Sequence, residues 1–216
     1  MSLFSFWQPE MLAERYQHRD DVMVLQELRG LYGDDFYFDF PPGPYFGPLK
    51  TAKVVLCYAN PGADKPSKDT ISQHHNRHLL FRQLQGDQSY PHKLPGWDRW
   101  FTPRANSLFG GDIDTATKNT AVLNLLPYAS EDMSKAEKIA NCLPSAWAAQ
   151  RYLRETLIPK AQRGEILLMM CRSAHLWGLM SSRGSDSILI NRVRSGFSAE
   201  IKSQAQKWIA EHIQPG

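Results

Sequence analysis

One asparagine stands where a buried strand is expected to end. Residues 54–59 (VVLCYA) form an apolar run, and Asn60 follows directly, ahead of Pro61 and Gly62. The amide of Asn60 can bind a water molecule and orient it, which suits a hydrolysis that depends on positioning and electrostatic stabilisation. Asparagine before Pro-Gly is also ordinary turn chemistry. On this motif alone the turn interpretation is favoured, so the elements around it matter.

Four apolar runs predict strands at residues 53–58, 120–125, 165–171 and 188–193. Helical patterns are found at 9–30, 72–84, 97–109, 131–140, 144–158, from about 173, and at 199–212. The aromatic and proline-rich segment 36–50 is interpreted as an ordered loop. Strands that are apolar throughout and separated by helices indicate a parallel sheet covered on both faces.

Parallel sheets of this kind bind ligands beyond the carboxyl ends of their strands. That rule selects four loops in this chain: 59–68, 126–130, 172–175 and 194–198. Asn60 lies in the first of these loops, and Asn124 lies near the end of the second predicted strand. The strand context therefore favours a chemical role for Asn60 over a turn alone.

Composition sets wide bounds on function. The chain has 216 residues, 42% hydrophobic and 22% charged, with a formal net charge of +3. These values are ordinary for one globular domain, and the mild positive charge permits an anionic partner. No apolar run is long enough to span a bilayer, and we expect neither a signal peptide nor a membrane partner. Three cysteines, two of them in predicted strands, suit a reducing cytoplasm, and we expect a monomer there.

The selected loops together resemble those of the uracil-DNA glycosylase superfamily. The first strand with Asn60-Pro61-Gly62 is similar to the first active-site motif of the mismatch-specific uracil/thymine glycosylases. Five more segments are similar in order and spacing: PYFGPLKTAKVVL, HHNRHLLFRQL (74–84), AVLNLLPYAS (121–130), MMCRSAHLW (169–177) and ILINRVRSGFSAEI (188–201). The resemblance covers about residues 44–212 and is stronger in order than in identity.

The fold that this resemblance implies is a three-layer αβα sandwich. Its central sheet would be mainly parallel and four-stranded, as in the uracil-DNA glycosylases. A single glycosylase-like domain would span residues 1–216, with residues 1–43 as a helical and loop extension packed on it.

The activity that the resemblance implies is that of a monofunctional DNA glycosylase, which extrudes a nucleotide and hydrolyses its N-glycosidic bond to leave an abasic site. Asn60 would place the water, with Asp64 as a secondary catalytic candidate. Asn124 would offer a donor and an acceptor to the Watson–Crick edge of the base, or else satisfy loop backbone. Phe46 or Tyr45 would stack on the base, although ordinary packing explains either aromatic residue equally well.

The partner implied is DNA, double- or single-stranded. Pro61 and Gly62 would shape their loop and let the DNA backbone approach. The loop before the last helix would bind phosphate through that helix's N-terminal amides, with Phe197 able to wedge into the base stack. Ser198 reads equally as a simple N-cap. The DNA-binding candidates are Pro61, Gly62, Arg172, Ser173, Arg194, Ser195, Phe197 and Ser198.

Two departures from the family pattern generate alternatives. Asn60 stands where the aspartate-dependent branch has its water-activating carboxylate, which motivates a catalytically inactive module that binds DNA or a modified base. Residues 194–198 replace a His-Pro-Ser loop, and with the long segment 86–118 they motivate a bulky or modified pyrimidine as substrate beside uracil. A hypermodified base of phage DNA would make the enzyme an antiviral one. A small-molecule hydrolase acting on nucleosides is the third hypothesis.

Cofactors and metals are not expected. No P-loop and no G-x-G-x-x-G motif follows the first strand, so a nucleotide cofactor has no support. His74 and His78 are one helical turn apart, but the glutamate that accompanies such a pair in zinc proteases is missing.

Overall fold

The computed structural model describes residues 2–32, 36–193 and 195–214. These residues contain five strands: β1 Tyr45–Phe46, β2 Val54–Tyr58, β3 Thr120–Asn124, β4 Leu167–Cys171 and β5 Ile188–Asn191. They also contain eleven α-helices: α1 Leu3–Phe6, α2 Arg19–Tyr32, α3 Lys65–Ser72, α4 His74–Arg82, α5 Pro95–Phe109, α6 Ile113–Asn119, α7 Met133–Ile139, α8 Pro144–Tyr152, α9 Ile158–Gln162, α10 Ala174–Trp177 and α11 Ala199–His212. Short 3₁₀ turns lie at Pro9–Met11, Glu14–Tyr16 and Gln83–Gln85, and a π-helical turn at Leu153–Leu157.

The five strands form one sheet in the order β1-β3-β2-β4-β5. Strands β2, β3, β4 and β5 run parallel, and β1 is antiparallel to β3. The predicted α/β class with a mostly parallel sheet flanked by helices is therefore confirmed. The four predicted strands correspond to β2–β5, and their ends agree to within two residues.

The sheet has five strands rather than the four predicted. Strand β1 lies inside the segment that was expected to be a loop, where Tyr45 faces Leu123 across the antiparallel pair. Pro44 precedes the strand and has no N–H to donate to a ladder. Gly47 follows it with a φ of 88° and donates its N–H to the Gln83 side chain at 2.7 Å, so the pairing stays two residues long. A strand this short, between prolines, leaves no alternating pattern that a sequence analysis could detect.

Two predicted helices are each divided in the structure. The pattern at 72–84 falls on α3 and α4, which are separated by Gln73 in an extended conformation (φ −88°, ψ 123°). The pattern at 144–158 falls on α8 and the π-helical turn, which leads into α9. Pro159 lies in the first turn of α9 and cannot donate to the carbonyl four residues earlier, which accounts for the wider turn before it.

Helices cover both faces of the sheet because its strands are apolar on both sides. In β2, Val55 and Cys57 pack into a core shared with helices α1, α2 and α7–α10. Val54 and Leu56 pack into a second core shared with helices α3–α6 and α11. Among the residues that the structure describes, no helix combines the length and the apolar character needed to cross a bilayer.

The buried carboxylate of Asp21, in α2, binds the N-terminal segment to the loop after β3 and to α8 through hydrogen bonds. Asp21 Oδ2 accepts a hydrogen bond from the Tyr128 hydroxyl at 2.6 Å, and Oδ1 accepts one from the Ser145 N–H at 2.9 Å, in the first turn of α8. Burial raises the pKa of Asp21, and the hydrogen bonds from Ser145 and Tyr128 offset only part of that rise. The same Tyr128 hydroxyl accepts the backbone N–H of His18 at 3.0 Å.

Replacing Asp21 with asparagine should change how stability depends on pH. Because the folded-state pKa is raised, the folded protein holds this proton more tightly than the unfolded chain, and ionisation opposes folding as the pH rises. Asparagine keeps the carbonyl acceptor for Ser145 and carries no charge. We therefore expect the Asp21→Asn variant to gain unfolding free energy relative to the wild type as the pH rises above about 4, the ordinary pKa of an aspartate, measured by urea denaturation.

Asp20→Asn is the matched control, because the Asp20 side chain is about half exposed. Its gain relative to the wild type should be much smaller than that of Asp21→Asn, because this substitution removes no buried charge. A decline of the Asp21→Asn variant relative to the wild type over the same pH range would contradict this account.

Candidate active site

A pocket of about 190 Å³ opens at the carboxyl ends of β2 and β3. This is far more than the roughly 10–15 Å³ that one water needs, so a small molecule or a planar ring fits. Its lining comes from the strand ends, the loop after β2, α3, α5 and the segment before α5: Phe46, Tyr58, Asn60, Pro61, Gly62, Asp64, Ser67, Tyr90, Gly96, Trp97, Trp100, Val122 and Asn124. The position agrees with the rule that parallel sheets bind ligands at this edge.

Asn60 lines the pocket with its amide held in one orientation. Its Nδ2 donates to the Tyr128 carbonyl at 3.2 Å and to the Ser130 hydroxyl at 2.7 Å. A carbonyl can only accept, so these contacts fix which end of the amide is nitrogen. Both N–H groups are used, and the oxygen of Asn60 is left as the acceptor that this side chain can offer.

The loop that carries Asn60 is held along its length by the loop after β3. The Leu126 N–H donates to the Ala59 carbonyl at 2.8 Å. Ser130 then pairs in parallel with the loop, its N–H donating to Pro61 at 3.1 Å and its carbonyl accepting from Ala63 at 3.1 Å. The Asn-Pro-Gly turn is therefore a fixed continuation of the β2–β3 ladder.

Asn124 is the second amide of the pocket and is only 2% exposed. Its Nδ2 donates to the Gly43 carbonyl at 2.8 Å, which again fixes the orientation of the amide. One N–H and the oxygen of this side chain have no partner among the described residues. Asn124 therefore satisfies loop backbone, one of the two roles predicted for it, and still has a donor and an acceptor to offer.

Five of the residues that line the pocket are aromatic. Phe46 lies edge-on to Trp97 with ring centroids 5.6 Å apart, and to Tyr90 at 6.4 Å. Tyr45 was predicted as an alternative to Phe46, and here the structure corrects the prediction. Tyr45 is fully buried in the core of the other sheet face, where its hydroxyl donates to the Leu84 carbonyl at 2.6 Å. Neighbouring residues of a strand point to opposite faces, so only one of the two can reach the pocket.

Pro61 and Gly62, predicted to bind DNA, and Asp64, predicted as a secondary catalytic residue, all line the pocket. Asp64 also has a structural role, because its Oδ1 accepts the Ser67 N–H at 3.1 Å and the Ser67 hydroxyl at 2.5 Å, and so caps α3. Its other oxygen has no partner among the described residues. Gly62 faces open space, since a Cβ built on it would meet no atom within 4 Å.

The loop after β4 presents one of its two predicted DNA-binding residues. Arg172 is exposed and has a left-handed backbone conformation, with φ of 57°. Ser173 was predicted to contact phosphate, but it is only 5% exposed and its hydroxyl donates to the Cys171 carbonyl at 3.1 Å. The structure thus corrects the prediction for Ser173, because the hydroxyl is turned inward and used within the loop.

The loop before α11 does not line the pocket in its described part. Ser195 is exposed, while Phe197 is partly buried against the core of the second sheet face. Ser198 is the N-cap of α11, where its hydroxyl accepts the Ile201 N–H at 3.3 Å. Arg194, the remaining candidate of this loop, lies outside the described residues.

An unpredicted residue, Asn191, shapes that loop from the end of β5. It is buried, its Nδ2 donates to the Gly196 carbonyl at 2.9 Å, and its Oδ1 accepts the Ser198 N–H at 3.2 Å. A single polar residue at the end of an apolar strand was the signal that could have identified it.

Sequence reasoning also missed most of the aromatic wall. Tyr58 was counted only as part of the first strand. Trp97, Trp100 and Arg104 recur at helical spacing on α5, which was a usable signal for a common face. Tyr90 lies in an irregular segment between helices and gave no signal.

Comparisons of this chain with protein-family models, with curated proteins and with solved structures found no significant match. The resemblance to uracil-DNA glycosylases therefore stays a hypothesis, and the geometry of the pocket has to carry any functional argument.

Two pocket glycines should respond differently to alanine. Gly62→Ala should change the unfolding free energy by less than about 0.5 kcal/mol, because the methyl group enters open space. A Cβ on Gly96 would lie 2.7 Å from the Ser67 Cα, where α5 meets α3, so Gly96→Ala should cost about 1–3 kcal/mol through overpacking. Urea denaturation of both variants measures the difference, and equal losses would contradict this description of the pocket.

Proposed function

We propose that this protein is a monofunctional DNA glycosylase. The observation that carries the proposal is the meeting of Asn60 and Asn124, each with its amide fixed by backbone carbonyls, in one aromatic pocket at the carboxyl edge of the sheet. A planar base fits against Phe46, and the free donor and acceptor of Asn124 suit the Watson–Crick edge of an extruded base. In its finer description, the proposed fold is that of the uracil-DNA glycosylases.

The proposed chemistry rests on the remaining acceptor of Asn60. Its oxygen accepts one hydrogen of a water molecule, which turns an oxygen lone pair of that water toward the anomeric carbon. Hydrolysis of an N-glycosidic bond passes through an oxocarbenium-like state, so a positioned water needs little activation. An amide activates a bound water less than a carboxylate does. We therefore expect slow hydrolysis.

The proposed substrate is a damaged, mispaired or modified pyrimidine in DNA. Uracil is the default that follows from the resemblance. A hypermodified base of phage DNA is the second substrate class, with a role in antiviral defence, because the loop before α11 departs from the family pattern. Extrusion costs least for bases that are mispaired or damaged, which adds selectivity.

A catalytically inactive module that binds DNA or a modified base is the second candidate. This candidate is favoured because position 60 has no carboxylate. The carboxylate in the pocket lining, Asp64, uses one oxygen to cap α3. Base release is the measurement that separates the two candidates.

The Asn60→Ala variant should lose base release by about 100-fold or more, since misplacing a reacting group by an ångström costs that much. The assay scores alkali-labile abasic sites on DNAs with uracil in single strands, with U·G and T·G mismatches, and with the modified cytosines of phage DNA. Asn141→Ala is the matched control, because that asparagine is exposed and outside the pocket lining. If the wild type binds these DNAs and cleaves none, the inactive module replaces the enzyme.

Arg172 offers a test of the DNA-binding edge. Arg172→Gly should weaken DNA binding, because one phosphate contact is lost. The slope of the logarithm of the binding constant against the logarithm of the salt concentration should fall in magnitude by about one. Stability should not fall, since glycine relieves a left-handed backbone conformation that costs other residues about 1–2 kcal/mol. Fluorescence anisotropy at several salt concentrations gives the slope.

Arg183→Gly is the matched control for Arg172. Arg183 is also exposed and left-handed, with φ of 53°, but it precedes β5 and so lies toward the opposite edge of the sheet. An equal loss of affinity in both variants would contradict DNA binding at the carboxyl edge. Nucleoside hydrolysis without any salt-dependent DNA binding would favour the small-molecule hydrolase instead.

A further inference from the structure

Arg104 is a cation placed directly behind the pocket wall. Its guanidinium carbon lies 3.9 Å from the centre of the Trp100 ring, and its Nη1 donates to the Trp100 carbonyl at 2.5 Å. The side chain is only partly exposed, and it has no carboxylate partner among the described residues. Burying a charge without a counter-ion costs free energy, so a role for the Arg104 charge beyond packing is expected.

The third contact of Arg104 reaches a residue of the pocket itself. Its Nε donates to the Tyr58 hydroxyl at 3.1 Å, and Tyr58 lines the pocket from the last position of β2. A hydroxyl that accepts a hydrogen bond from a cation becomes a better donor through its own O–H. The thiol of Cys171, a weak acceptor, also lies within hydrogen-bonding reach of that hydroxyl, and Tyr90 is close enough to interact with it electrostatically.

The proposed reaction needs such a donor. When the C1′–N bond breaks, its electron pair moves onto the base, and the oxygen of a water molecule bonds to C1′. The water's proton leaves to solvent, and the base later takes a proton from solvent. Negative charge therefore develops on the base, although the described residues that line the pocket include no lysine, arginine or histidine.

We propose that the Tyr58 hydroxyl, polarised by Arg104, donates a hydrogen bond to the departing base and stabilises its negative charge. This inference rests on the glycosylase function proposed above and assigns the group that stabilises its leaving base. Tyr58 is the catalytic residue in this scheme, and Arg104 is a positioning residue that acts through it.

Two features of the site support this assignment. Burial raises the pKa of Tyr58 further above its ordinary value, so the hydroxyl keeps its proton and stays a donor at every physiological pH. The backbone of Tyr58 is also fixed, because its carbonyl accepts the indole N–H of Trp177 at 3.1 Å and the N–H of Leu125 at 3.0 Å. A donor on a rigid strand end needs no rearrangement when charge develops.

Leaving-group dependence tests the proposal. Single-turnover base release is measured on oligonucleotides that carry deoxyuridine or 5-fluorodeoxyuridine. Fluorine makes the base a better leaving group, which then needs less stabilisation. Tyr58→Phe should slow release of the unfluorinated base by about 100-fold, as expected for loss of one such donor, and slow release of the fluorinated base much less. Arg104→Met should shift rates in the same direction by a smaller factor.

Controls separate chemistry from packing. Tyr152→Phe removes a hydroxyl from the core of the opposite sheet face and should leave all rates unchanged. Thermal unfolding checks that each variant is folded, and Arg104→Lys keeps the charge if Arg104→Met does not fold. Arg104→Lys should then fall between the wild type and Tyr58→Phe.

The outcomes are distinct. Equal losses on fluorinated and unfluorinated bases would reduce Tyr58 to a packing role and overturn the inference, as would undiminished rates in Tyr58→Phe. Either result leaves the glycosylase function in place. If the wild type releases no base from these oligonucleotides, from the mismatched DNAs or from the modified phage DNA of the base-release assay, the proposed function fails, and the inference falls with it.

Discussion

Strand β2 pairs in parallel with β3 on one side and with β4 on the other, and most of the candidate site follows from that constraint. A strand in the middle of a parallel sheet is covered on both faces, so polar chemistry is confined to its ends. The carboxyl ends of β2 and β3 then come together, because Tyr58 and Asn124 face each other across the ladder. Asn60 and Asn124 are 64 positions apart in the chain, and this pairing brings them to one pocket.

The pocket is completed by the segment before β1. Gly43 supplies the carbonyl that orients Asn124, and its lack of a side chain makes room for Phe46, since a Cβ there would lie 2.4 Å from the Phe46 ring. Tyr128 links the N-terminal segment to the same site, because its hydroxyl bonds Asp21 while its carbonyl holds Asn60. These contacts make the N-terminal residues a part of the site's framework. The position of both amides thus depends on backbone carbonyls that come from distant parts of the chain.

Sequence alone was informative where a residue's role depends on periodicity. The apolar runs predicted β2–β5, and with them the position of Asn60 and Asn124 at the carboxyl ends of neighbouring strands, where the structure has them. Sequence alone was not informative where a residue's role depends on which face of the sheet or loop its side chain points to. Tyr45 and Phe46 could be separated only once β1 was known to pair with β3, and Ser173 only once its loop was seen to fold its hydroxyl inward. Arg104 reaches Tyr58 across 46 positions, and no local pattern encodes that contact.

We propose that a base leaves the DNA stack and enters this pocket. A crystal structure of the protein with an oligonucleotide that carries 2′-fluoro-2′-deoxyuridine, or the matching cytidine, tests it most directly, because the fluorine slows cleavage and keeps the base attached. We expect a base against Phe46, with its Watson–Crick edge within hydrogen-bonding distance of Asn124 and a water on the oxygen of Asn60. DNA bound on another surface, or bound at this edge with every base still stacked outside the pocket, would contradict it.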